Sequence, residues 1–222
     1  MTTAVPSPGG PGTRRVAMIG SGAGTTTAAV LAATASGDLG ATVAVVIGNN
    51  SRSGLLQVAD DHGVPAVHLS GRTHPDDTDR DRAMAAALTE HRADLVVLAG
   101  YLKKVGPIVR ETYRDRIVNT HPALLPAYGS TGMYGDRVHA AVLADGARRT
   151  GVTIHRVTEN YDEGPILAQL EVSVEPGDDV ATLRTRVQAA ERALLLRWLA
   201  DWAAGDDNVE ISAASRRPNV PR

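Results

Sequence analysis

Short apolar runs alternating with helical stretches constrain this chain more than any other feature of its sequence. Residues 16–19, 42–47, 66–69, 95–99 and 117–120 are mostly apolar runs, continuous rather than alternating in polarity. That pattern belongs to strands buried on both faces, as in parallel sheets. Helical stretches fall at 25–36, 54–62 and 78–91, the last with Met84, Ala87, Leu88 and His91 on one face. The rhythm changes after residue 120: a Pro/Gly-rich loop, a helix at 137–144, strands at 152–157 and 166–174, then a helix at 180–202. Leu183, Val187, Ala190, Leu194 and Trp198 form the buried stripe of that final helix. Repeated strand–helix units require right-handed crossovers and an α/β fold. The expectation is an open, mostly parallel twisted sheet with helices on both faces, in one domain over 15–205. Residues 1–14 and 206–222, polar and rich in Pro, Gly, Ser and Arg, are expected to be disordered tails.

With 222 residues, 43% of them hydrophobic, the chain can bury a full core. A formal net charge of −2 provides no general basic field for a nucleic-acid backbone, so small ligands are the expected partners. The absence of cysteine excludes disulfides, thiolate metal sites and cysteine nucleophiles. No apolar segment reaches the length of a membrane span or a secretory leader, which makes the cytoplasm the expected compartment.

The first apolar run leads into Gly20-Ser21-Gly22-Ala23-Gly24-Thr25-Thr26-Thr27 and an alanine-rich helix. A glycine turn that opens a helix offers free backbone N–H groups and a positive dipole end, suited to a phosphate. A plain tight turn would look the same. The dinucleotide fingerprint fails because Thr25 or Thr27 stands where its third glycine belongs, and the second run ends in Gly48-Asn49-Asn50 without a ribose-binding acid. Nor is there a Walker lysine. A compact phosphomonoester fits better than a nicotinamide cofactor.

The segment Asn119-Thr-His-Pro-Ala-Leu-Leu-Pro126 carries more chemistry. On a strand, Asn119 and His121 project to the same face, and Pro122 puts both at the carboxyl edge where α/β proteins bind ligands. An amide beside an imidazole can hydrogen-bond a carbonyl oxygen and exchange a proton with its substituents. Equally, the pair could be structural, with Asn bonding a loop and His packed at the strand end. Further on, Asn160-Tyr161-Asp162-Glu163-Gly164-Pro165 forms a turn between two strands. Asp162 could orient a histidine, keep it protonated or relay its proton. It could also simply cap its own turn.

N-x-H-P-A-L-L-P, a Gly/Tyr loop and then Y-D-x-G-P-I-L-A-Q some forty residues on resemble the folate-dependent formyltransferases, most closely the branch that formylates glycinamide ribonucleotide. The resemblance spans roughly residues 15–203. It implies an open α/β fold and an enzyme that transfers the formyl group of 10-formyltetrahydrofolate to a primary amine in purine biosynthesis, without a metal. Asn119, His121 and Asp162 match the catalytic trio. Gly24, Thr25 and Thr26 match the loop holding the amine substrate's phosphate; Gln188 and Glu191 match ribonucleotide contacts. Leu102, Lys103, Lys104 and Val105, with Thr158, Glu159, Asn160 and Tyr161, match the folate-binding segments, to which Asn119 also belongs. In a chain with only 3% aromatic residues, Tyr101 or Tyr161 must supply any flat wall. The implied chemistry is direct amine attack, with Asn119 and protonated His121 stabilising the oxyanion and Asp162 shuttling a proton.

Three positions depart from the family pattern: Thr26 stands where Asn is usual, Arg192 replaces a common His, and the region of Asp77 is acidic near a frequent folate-site Arg. These leave two alternatives: a related formyltransferase acting on another small amine, or a catalytically silent ligand-binding module of the same fold. Methionyl-tRNA formyltransferase fits less well, since it would need a tRNA-binding domain after the last helix. The expected assembly is a monomer or homodimer.

Overall fold

The fold is known from a computed structural model that describes residues 13–205. Its strands are β1 (Arg14–Gly20), β2 (Ala41–Gly48), β3 (Ala66–His68), β4 (Leu95–Leu98), β5 (Ile117–His121), β6 (Arg149–Arg156) and β7 (Ile166–Ser173). The helices are α1 (Thr25–Ser36), α2 (Gly54–Asp61), α3 (Asp77–Glu90), α4 (Pro107–Thr112), α5 (Asp136–Ala144) and α6 (Val180–Ala203). Of the two expected tails, only Thr13 and Arg14 fall among the described residues, with Arg14 opening β1; the rest lies outside them.

The strands form one sheet in the order β3-β2-β1-β4-β5-β6-β7. The first five are parallel; β6 alone runs the other way, pairing antiparallel with β5 on one side and β7 on the other. Both faces are covered, which explains the continuous apolar runs. Along β1, Val16 and Met18 pack with α1 and α6 residues such as Val30 and Leu199. Ala17 and Ile19 face the other way, against Met84 and Leu88 of α3 and Val109 of α4. The α6 stripe is buried as its spacing requires, with Ala190 at its margin. Asp179 accepts from the Thr182 N–H while the Thr182 hydroxyl accepts from the Asp179 N–H, a reciprocal cap that fixes where α6 begins.

Helix α4 escaped the sequence pattern because its six residues are too few to show a period. Its start is held by a buried acid from α3: Asp81 accepts from the Ile108 and Val109 N–H groups at 2.7 and 3.2 Å. Among the described residues, no helix is long and apolar enough to cross a membrane.

Strand order reverses direction between β1 and β4, and the helices that follow them, α1 and α4, pack on opposite faces of the sheet. In such sheets the crevice at this switch point receives the ligand.

Candidate active site

A cleft of about 630 Å³ opens at the switch point. It collects every residue singled out from the sequence as catalytic, phosphate-binding, substrate-binding or folate-binding. Asp77 and Arg192 are absent from its walls. Asp77 instead pairs with Arg80 on the exposed start of α3.

The glycine loop forms one end. Gly20 must lack a side chain because a methyl there would press on the Ala99 carbonyl oxygen at 2.8 Å. Gly24 adopts φ 79° against the Leu55 backbone, a conformation and a closeness that favour glycine. It serves as N-cap of α1 without any side-chain cap, so the first N–H groups of that helix are left for a ligand. Thr25 is exposed beside them. Thr26 points elsewhere: its hydroxyl donates to Glu191 Oε1 at 3.0 Å. Gln188 lies one turn before Glu191 on the same wall of α6. Burial pushes the Glu191 carboxyl above the usual carboxylate range, against the opposing hydrogen bonds from Thr26 and Thr120 and the charge of Arg192.

At the opposite end, Leu102, Lys103 and Lys104 are exposed at the rim and Val105 is buried beneath them. Thr158, Glu159, Asn160 and Tyr161 form the facing wall, and the Lys104 ammonium sits 5.7 Å from the Tyr161 ring centre. Tyr101 also lines this end. The wall is therefore aliphatic and tyrosine-lined with cations at its edge, fit for a flat heterocycle carrying carboxylates.

Between the two ends lies the polar centre. β5 carries Asn119 and His121 on one side and Thr120 on the other, as strand alternation dictates. The antiparallel register sets His155 of β6 opposite Asn119 and Thr153 opposite His121. His155 Nδ1 donates to the Arg156 carbonyl at 3.0 Å, which leaves Nε2 to accept from the Asn119 amide nitrogen at 3.0 Å. The second amide hydrogen of Asn119 remains for a ligand. His121 is 3% exposed and donates from Nε2 to the Tyr128 carbonyl at 2.9 Å. Its Nδ1 lies 3.6 Å from Asp162 Oδ2, while Asp162 Oδ1 lies 3.5 Å from His155 Nε2. Asp162 thus sits between two imidazoles. It does so with φ 58°, a left-handed backbone that Asp tolerates better than most residues.

Burial lowers the His121 pKa, and this outweighs the upward pull of Asp162 and the Tyr128 carbonyl. Burial alone would raise Asp162, yet His155, His121 and the Ser130 backbone N–H together hold it below the usual carboxylate range. At His121 the loss of hydration exceeds the attraction of one carboxylate, whereas at Asp162 the neighbouring imidazoles and the Ser130 N–H outweigh burial.

Sequence reasoning missed His155, the carbonyl of Tyr128 and the hydroxyl of Thr120. Only the β5–β6 register brings His155 to Asn119, and no local spacing records that pairing. His139 was also missed; it lies in the cleft wall, 2% exposed, with Nδ1 unpartnered among the described residues and its pKa lowered by burial.

Known proteins carry the same arrangement of elements. The formyl transferase family matches residues 14–199. This chain belongs to the formyl transferase family. It is 38% identical over 182 residues to the phosphoribosylglycinamide formyltransferase of Mycobacterium tuberculosis, covering 82% of this chain and 81% of that protein. It is 36% identical over 185 residues to the chloroplastic phosphoribosylglycinamide formyltransferase of Arabidopsis thaliana, covering 83% of this chain. The match spans 63% of the plant protein's length. Among solved structures, glycinamide ribonucleotide transformylase 1 from Symbiobacterium toebii superposes with a TM-score of 0.82 at 34% identity, covering 88% of this chain and 90% of the other. The expected α/β sheet and formyltransferase membership are thus both borne out.

Proposed function

We propose that this protein transfers the formyl group of 10-formyltetrahydrofolate to the primary amine of glycinamide ribonucleotide, a step of purine biosynthesis. The observation that carries this reading is the Asn119–His155–Asp162–His121 cluster at the centre of a cleft whose ends differ in chemistry. The uncapped α1 terminus at Gly24, Thr25 and Thr26 suits the phosphate of the amine substrate. Gln188 and Glu191 suit its ribose hydroxyls. Leu102, Lys103, Lys104, Val105 and the 158–161 wall suit the folate. The relatives' names support the same acceptor and the same transferred group.

The amine nitrogen attacks the formyl carbon, forming one C–N bond while negative charge develops on the formyl oxygen. The free N–H of Asn119 donates to that oxygen. The attacking nitrogen must lose a proton. Neutral His121, with Nε2–H committed to Tyr128, accepts it at Nδ1, and ionised Asp162 stabilises the imidazolium that results. Return of the proton to the folate nitrogen accompanies cleavage of the original C–N bond. The positive charge on His121 exists only while the oxyanion exists, so stabilisation is concentrated on the transition state. His155 holds the Asn119 amide in place. No step calls for a metal. Action in the cytoplasm on small molecules alone, as a monomer or homodimer built on residues 15–205, belongs to the same proposal.

Deformylation of the folate donor, followed with glycinamide ribonucleotide and then with a panel of other primary amines, tests it. Turnover with glycinamide ribonucleotide in strong preference to the panel is expected. Turnover only with another amine would overturn the acceptor, and no folate binding would overturn the enzyme reading.

A further inference from the structure

We propose that Thr26 and Thr120 are positioning residues that clamp the Glu191 carboxyl so that a single oxygen faces the acceptor. Their hydroxyls donate to the same atom, Glu191 Oε1, at 3.0 and 3.1 Å. Two donors occupy the lone pairs of that oxygen. Oε2 has no donor among the described residues, and Glu191 forms part of the cleft wall. The carboxyl is thereby fixed in rotation and offers Oε2 as an acceptor for a substrate hydroxyl.

The three elements involved make the arrangement specific. Thr26 stands in the first turn of α1, directly after the glycine loop. Thr120, 6% exposed, leaves β5 on the side opposite Asn119 and His121. Glu191 comes from the middle of α6. One oxygen thus ties the phosphate-facing helix end, the catalytic strand and the ribose-facing helix to a common point. Without such donors, a carboxylate at this depth would lose hydration with nothing in return. The departure at Thr26 acquires a function in this way: its side chain serves the carboxylate instead of the loop's ligand.

This inference rests on reading the cleft as an acceptor-amine site, and its test separates the two. Thr26→Val and Thr120→Val remove each hydroxyl with little change of shape, and Thr26→Ser and Thr120→Ser restore it. Each Val variant is expected to raise the KM for glycinamide ribonucleotide about tenfold, the equivalent of one weakened hydrogen bond. kcat and the KM for the folate donor stay within about twofold, and each Ser variant recovers the lost affinity. In the ligand-free protein at fixed pH, the ¹³Cδ resonance of Glu191, assigned by its loss in Glu191→Gln, is expected to move in both Val variants and return in both Ser variants. An unchanged amine KM, Ser variants as impaired as the Val variants, or an unmoved Glu191 resonance would each overturn the clamp. If the unaltered protein does not use glycinamide ribonucleotide, the acceptor assignment falls while the resonance still decides the clamp. Should Thr120→Val fail to fold, the half-buried Thr26 pair decides alone.

Discussion

Thr153 fastens the chain that leaves β5, and replacing it by Val isolates that role. The residue is fully buried. Its hydroxyl donates to the Ala123 carbonyl at 2.7 Å and accepts from the Leu125 N–H at 3.0 Å and the Gln169 amide at 2.9 Å. Val has nearly the same shape, so no cavity forms. Two buried backbone groups lose their partner, whereas Gln169 keeps its bond to the Leu125 carbonyl. Each orphan costs about 1–3 kcal/mol, which makes the expected loss about 4 kcal/mol. With an unfolding entropy of about 0.4 kcal/mol/K for a folded unit of roughly 190 residues, the midpoint falls by about 10 °C. Chemical denaturation and calorimetry of Thr153→Val, with Thr153→Ser as the hydroxyl-bearing control, measure it. The Ser control is expected to lose about 1 kcal/mol for its missing methyl. Because this segment continues to the Tyr128 carbonyl that binds His121, kcat should fall at least tenfold at temperatures where the variant is folded. Equal stability of the Val and Ser variants would refute the reasoning.

Since the proposed mechanism has His121 accept the amine proton and burial lowers its pKa, kcat/KM should hold its plateau at neutral pH and decline only below the ordinary histidine value of about 6.5; a pH–rate profile with its acid limb above that value would contradict this. Asp162→Asn keeps a residue that tolerates the left-handed backbone, so it should abolish most turnover while circular dichroism and the melting midpoint stay near normal. His155→Ala frees the Asn119 amide and should lower kcat about 10²-fold with little change in either KM, as steady-state kinetics would show. The Glu191 carboxyl is raised by burial, so its stabilising contribution is present below about pH 4.5 and is lost as pH rises through its folded value. Glu191→Gln should therefore melt higher than the unaltered protein at pH 8, with the gap closing towards pH 4 while amine binding weakens; a gap independent of pH would refute the assignment.

Strand positions and the longer helices were legible because their signals are local. Continuous apolar runs marked the doubly buried strands, and the α6 stripe followed helical spacing. Asn119 and His121 were paired by alternation along one strand. The antiparallel turn of β6, and with it His155, was not legible: which strand a histidine faces depends on register, which sequence spacing does not carry. The link of Thr26 and Thr120 through Glu191 was hidden for a similar reason, since that shared partner lies 165 and 71 residues away. The direction of the shift at His121 could not be read either. It depends on how far burial outweighs Asp162, and burial is a property of the assembled cleft.

The reversal of β6 divides the molecule's freedom to vary. Asn119 and His155 are locked by backbone pairing, and a slip of β6 by one residue would turn His155 to the wrong side of the sheet. The 131–135 segment that borders the same cleft, beyond the Ser130 N–H that binds Asp162, belongs to no strand and answers to no such frame. Its length and composition can be exchanged while the reacting groups keep their spacing. A redesign aimed at a different acceptor would therefore begin with this loop, leaving β5 and β6 as a fixed chassis.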